Sequence, residues 1–163
     1  NTSTGAFTTR MSSGMPDLTG LSISDVATSS TLTLAADTIS VVNYTGAAAA
    51  ACTLPAATAG TVVVYAQAKD TTGGTATLSF DCAGSDVFAT GSVIESRGSS
   101  EVTFDTSAAS ETLLTFTPAD AATNLFTTGS MIAFICYEDG TYHIASKMGG
   151  AADATTGAFV FAS

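Results

Sequence analysis

From Ser30 onward the chain is a succession of short β-type runs, each closed by Gly, Pro, Asp or Thr, and no stretch sustains an apolar period of 3.6. The runs are Thr31–Leu34, Ser40–Tyr44, Ala51–Leu54, Val62–Ala68, Ala76–Asp81, Val93–Glu95, Glu101–Asp105, Leu113–Phe116, Met131–Tyr137, Thr141–Ala145 and Ala158–Phe161. Many short strands at fairly even spacing predict an all-β fold, either an antiparallel β-sandwich or a jelly-roll-like barrel. One segment departs from this. In "TPADAATNL", Thr117 can cap, Pro118 sits where its missing N–H costs nothing, and Asp120 follows three residues after the cap, which predicts one short helix or turn over Pro118–Leu125. "GAAAAAC" at Gly46–Cys52 favours helix by its alanines, but strand signals flank it on both sides, so it is expected to be a loop running into a strand. Residues 1–30 are rich in Thr, Ser, Gly and Met around a "GMPDLTG" turn cluster, and read as an extended N-terminal arm ahead of a single domain over 31–163.

Two segments say more. In "TVVVYAQA", Val62, Val64, Ala66 and Ala68 face one way, and Val63, Tyr65 and Gln67 the other. In "MIAFICYEDGTYHIA", Asp139-Gly140 predicts a two-residue hairpin turn with positive φ at both positions. That turn would pair Tyr137 with Tyr142, Cys136 with His143, Ile135 with Ile144 and Phe134 with Ala145. An antiparallel strand with one wet face should alternate apolar with polar. Neither segment does, so each is expected either to lie between two packed layers or to have its outer face covered by another subunit.

A chain of 163 residues is most simply one domain, able to bury roughly 70 % of its unfolded surface without metal or disulfide help. No apolar run approaches the ~18 residues of a membrane helix, and no basic-then-apolar leader is expected at the N-terminus. The net charge is −10, and Arg10, Lys69, Arg97 and Lys147 are the cations. Four scattered cations do not make a phosphate-binding surface, so no nucleic-acid partner is expected. The cysteines are Cys52, Cys82 and Cys136. An odd number with no close spacing argues against a disulfide framework or a zinc cluster. Each is expected to be a small buried hydrophobe, made in a reducing cytoplasm.

Chemistry is thinly represented. The predicted register sets Cys136 opposite His143, the minimum for a thiol nucleophile, yet any two residues on paired strands meet this way, and no orienting third residue or oxyanion loop accompanies them. Glu138-Asp139, with Asp81 and Asp86 at a distance, invites a calcium reading. Calcium takes six to eight oxygens from a compact acidic loop, and the chain has no D-x-D-x-D pattern. "TTGG" at Thr71–Gly74 lacks the strand and lysine context of a phosphate loop. No catalytic residue, cofactor or metal site is expected.

The segment "TLTLAADTISVVNYTGAAAAACTLPAATAGTVVVYAQA", through Leu32, Thr33, Ala36, Asp37, Thr53, Leu54, Pro55, Ala56 and Gly60, resembles a segment that recurs in tailed-bacteriophage virion proteins. "TTGSMIAFICYEDGTYHIAS" is similar to their closing strands through Gly129, Asp139, Gly140 and Tyr142. Two departures stand out: Ile39 replaces the glycine that follows the Ala-Asp-x step, and the aromatic near the C-terminus, Tyr142, is Tyr and not Trp. The resemblance covers roughly residues 31–147. It implies a β-sandwich module on the outside of the virion, of the kind used as capsid decoration (cement) proteins, head fibres or tail-fibre parts.

That resemblance implies a structural protein and not an enzyme, assembled in the host cytoplasm and carried on the outer capsid surface. The major capsid protein and sister copies would be its partners, in a closed homotrimer that matches the local three-fold points of a capsid lattice. The arm would supply contacts to capsid or sister subunit through Phe7, Arg10, Met11, Met15, Leu18 and Leu21. A competing expectation is a fibre module that binds a host receptor or carbohydrate through exposed aromatics, the candidates being Tyr44, Tyr65, Tyr137 and Phe88. A Cys136–His143 enzyme is the remote alternative.

Overall fold

Side chains alternate across a strand, so a run such as Thr38–Val42 can bury Thr38, Ser40 and Val42 while Ile39 and Val41 point the other way. That alternation organises the whole molecule. The computed structural model describes residues 22–26, 31–71, 76–97, 102–117, 127–147 and 158–163. The helix expected over Pro118–Leu125 and residues 1–21 of the expected arm lie outside them.

In chain order the described strands are β1 (Ser22–Val26), β2 (Thr31–Thr33), β3 (Thr38–Val42), β4 (Ala50–Thr53), β5 (Val62–Gln67), β6 (Leu78–Asp81) and β7 (Val87–Phe88). They continue with β8 (Val93–Arg97), β9 (Val102–Thr106), β10 (Leu113–Thr117), β11 (Met131–Glu138), β12 (Thr141–Lys147) and β13 (Ala158–Ala162). The alanine-rich stretch is loop until β4 begins at Ala50, as its flanks predict. Within the expected arm, Ser22–Val26 is a strand that pairs with β3.

The strands form a six-stranded sheet in the order β1-β3-β5-β11-β12-β7, a five-stranded sheet in the order β13-β10-β6-β4-β2, and a β8-β9 ribbon. The sheets do not close into a barrel, which removes the jelly-roll-like barrel from the expected folds. The pairing is also not uniformly antiparallel. The chain alternates between the two large sheets through its first six strands, so consecutive members of one sheet arrive running the same way. As a result β1-β3, β3-β5, β2-β4 and β4-β6 are parallel. Antiparallel pairing holds where later strands return, as in β5-β11, β11-β12, β6-β10 and β10-β13.

The facing side chains of the two sheets share one core. Val42, Val63, Tyr65, Ile132, Phe134 and Tyr142 from the six-stranded sheet meet Leu32, Cys52, Leu78, Phe80, Leu114 and Phe116 from the other. Ring contacts bridge them: Tyr65 meets Phe80 edge-on at 5.1 Å, and Phe80 meets Phe134 at 5.2 Å. Each such fully buried aromatic contributes about 1.5–3 kcal/mol by burial, with a further ~0.5–1.5 kcal/mol where rings meet. The buried tyrosine hydroxyls are satisfied. Tyr142 donates to the Pro55 carbonyl at 2.8 Å, and Tyr44 donates to the Ala76 carbonyl. Tyr65 donates to Gln67 Oε1 at 2.8 Å, while Gln67 Nε2 donates to the Tyr44 and Lys69 carbonyls. A buried amide with all of these partners costs little and fixes the register of β5.

Loops are tied by carboxylates. Asp37 accepts from the Val62 amide, Asp70 from the Thr128 amide and hydroxyl, and Asp86 from the Ala57 amide. Asp105 accepts from the Phe161 amide, Glu111 from the Ala108 amide, and Asp139 from the Ala59 amide. Among the described residues, these six acidic side chains accept from backbone N–H groups, a charge-assisted bond stronger than a neutral one.

Candidate functional site

The β11–β12 hairpin differs from its expected register. Glu138 pairs with Thr141 across Asp139-Gly140, but Ile135 then pairs with His143 and Phe134 with Ile144. Cys136 and Tyr137 together oppose Tyr142, so a β-bulge occupies the strand just before the turn. The turn explains it. Positive φ occurs at Gly140 (81°) and not at Asp139, so this is not the two-residue turn with positive φ at both positions whose twist matches the strands. The loop between β4 and β5 holds that geometry: the Gly140 amide donates to the Ala57 carbonyl at 2.8 Å, and Asp139 Oδ1 accepts from the Ala59 amide at 2.8 Å.

The bulge separates the two residues of the expected thiol pair. Cys136 turns inward and is 1 % exposed, while His143 stands on the outer side of the sheet. Burial pushes the thiols of Cys52 and Cys82 up to about 12 and raises that of Cys136, and thiols held neutral do not act as nucleophiles. Of the calcium candidates, Asp86 and Asp139 both reach the loop between β4 and β5 and accept from the Ala57 and Ala59 amides, and the described residues contain no group of three or more His, Cys, Asp or Glu placed to hold a metal ion. Of the expected aromatic platforms, Tyr44, Tyr65 and Phe88 are core residues, and Tyr137 is 70 % exposed. The expected arm contacts Phe7, Arg10, Met11, Met15, Leu18 and Leu21 lie outside the described residues.

What the structure does bring together is an apolar outer face on the six-stranded sheet. The register aligns Ile39, Val64 and Ala133 in one row and Val41, Ala66 and Met131 in the next, with Val62 beside Ile135. All eight are apolar and come from β3, β5 and β11. The outer face of the five-stranded sheet is different. Its rows read Thr31, Ala51, Ser79, Thr115, Val160 and Thr33, Thr53, Asp81, Leu113, Ala162. The rows on β3, β5 and β11 are thus aliphatic throughout, with Lys147 and His143 flanking them on β12, while the five-stranded face mixes Thr and Ser with Asp81 and the apolar Ala51, Leu113, Val160 and Ala162. Asp37 ends the loop entering the apolar face. It takes φ 53° itself, a conformation Asp tolerates, two residues before Ile39 of β3.

Magnitude limits what this face does unaided. Three strands about 4.8 Å apart, with ~3.3 Å per residue, project roughly 200 Å². Covering that area is worth about 5 kcal/mol, against an association cost of about 4–15 kcal/mol and a standard interface of ~800 Å² per partner. A contact made through this face alone would fall short, and would need a surround or several copies at once.

Comparison with known protein families, with curated proteins and with solved structures returned no match.

Proposed function

We propose that this chain is a structural virion protein, a β-sandwich that decorates a bacteriophage capsid and stabilises it by bridging capsid subunits. The two large sheets, sharing one core through facing aromatics, are its two layers. The observation that carries the reading is the contrast between the outer faces: a Thr- and Ser-rich mixture with Asp81, Leu113 and Val160 on the five-stranded sheet, aliphatic residues alone on the β3, β5 and β11 rows of the six-stranded one. Solvent accounts for the first and a neighbour for the second. Because a patch worth about 5 kcal/mol does not hold a partner by itself, the fitting assembly is a closed homotrimer on the major capsid protein, where several weak contacts engage together. The resemblance of residues 31–147 to phage virion proteins points the same way, as do three buried free thiols in place of disulfides.

The test is reconstitution. Purified protein added to particles stripped of it raises their rupture temperature, and imaging finds it on the outer shell. Val41→Lys with Ile135→Lys leaves the strands folded and abolishes both effects. A protein that sediments as a monomer and binds no particle overturns the proposal.

A further inference from the structure

The apolar face ends at β12, and beyond it, where β7 pairs in parallel with β12, the surface opens into a depression of about 370 Å³. Its lining includes Val87, Thr90, Ser110, Glu138, Thr141 and His143. The volume lies in the range of ligand sites, roughly 300–1,000 Å³, and its open mouth leaves one side of any occupant in water. Tyr137 stands beside the lining residues Glu138 and His143. Its ring packs against that of His143, with centroids 4.9 Å apart and planes at 61°, and the residue is 70 % exposed. An aromatic this exposed is placed there by the bulge: the unshifted register would set Tyr137 opposite the buried Tyr142 and turn it toward the core. Bulges commonly re-aim one side chain beside a binding site.

The chemistry of the lining selects the ligand. A phosphate or nucleotide finds no Lys or Arg among the lining residues and approaches a chain of net charge −10. A purely apolar ligand leaves Glu138, Ser110, Thr90 and Thr141 facing it without compensation. A pyranose ring meets both demands: its C–H face lies on an aromatic ring, and its hydroxyls bond a carboxylate and several hydroxyls, some through water. We propose that this depression, with Tyr137 as its platform and Glu138 as its main acceptor, binds a neutral saccharide. The site lies at the β12–β7 margin and adjoins the patch only where His143 pairs with Ile135; its lining shares no residue with the eight aliphatic ones, so the proposal rests on observations separate from the structural role above.

The experiment titrates the full chain by NMR with neutral hexose and N-acetylhexosamine oligosaccharides, with sialylated and uronic-acid oligosaccharides in parallel. The expected result is saturable binding of at least one neutral sugar. Tyr137→Ala and Glu138→Gln each weaken it about tenfold, the scale of one lost aromatic or charge-assisted contact. Tyr137→Phe retains binding, and Met131→Ala, on the same strand but in the apolar patch, leaves it unchanged. Binding confined to acidic sugars, binding unaffected by Tyr137→Ala, or no neutral sugar bound at all overturns the proposal. Tyr137 is surface-exposed, so the variant's retained strand signals separate loss of the site from loss of the fold.

Discussion

Asp86 Oδ2 accepts a hydrogen bond from the Ala57 amide at 2.6 Å across 29 residues of sequence, joining the turn before β7 to the loop between β4 and β5. The same loop holds the hairpin tip through the Ala57 carbonyl. Asp86→Ala leaves a loop amide without its charged acceptor, and is expected to lower stability by about 1.5–3 kcal/mol. The check is a shift of the denaturant midpoint at constant slope; an unchanged midpoint would mean that water replaces the carboxylate.

Gly140 holds φ 81°, and a Cβ there would meet Asp86 Oδ1 at an ordinary 3.9 Å. Space is available, so the backbone sets the cost. Gly140→Ala is expected to lose about 1–2 kcal/mol, the left-handed penalty for an L-residue, and Gly140→Asn less. Equilibrium unfolding of the two variants against the parent measures both, and equal losses would shift the cause from φ to the side chain.

Cys52, Cys82 and Cys136 are all buried and free. A thiol reagent is therefore expected to label none of them on mixing with the native protein and all three in denaturant. Native labelling should proceed only as fast as local or global opening exposes the sulfurs. Prompt stoichiometric labelling of Cys136 in the native protein would contradict its inward placement.

Stability should fall at both ends of the pH scale. Burial raises the Cys52 and Cys82 thiols from 9.0 and the Tyr44 hydroxyl from 10.0, each to about 12. A folded value above the unfolded one contributes stability that is complete below the unfolded value and is lost as pH rises through the folded value. Unfolding is thus expected between about pH 9 and 12, together with tyrosinate absorbance. On the acid side the Thr128 amide and hydroxyl hold the Asp70 carboxyl below its ordinary 3.8. That tie is complete above the unfolded value and disappears as pH falls through the folded one. Asp70→Asn should flatten the acid limb.

The strands were legible because punctuation and β-branched runs are local signals. All eleven predicted runs lie within two residues of a strand's bounds. β7, two residues long, carries too little pattern to be seen, and β1 sits inside Thr- and Ser-rich sequence. Partners were less legible. Whether β3 pairs with β5 in parallel depends on where the intervening strand goes, a matter of tertiary packing. The doubly apolar character of "TVVVYAQA" did locate the face that now stands out. The hairpin register failed at one place for a definable reason: Asp139 is held at negative φ by its bond to Ala59, eighty residues away, and no local rule contains that contact. Tyr137 was visible only as one aromatic among four, and burial is what distinguishes it from the others.

The order of strands also bears on how the chain acquires its shape during synthesis. β5, emerging early, lies between β3 and a strand that begins at Met131, and β6 waits for one that begins at Leu113. The first half of the polypeptide therefore leaves the ribosome with two incomplete sheets, each exposing a row of unpaired amides until the last third arrives. Nascent chains halted before residue 131 should stay protease-sensitive and cling to chaperones, and competence should appear late and all at once.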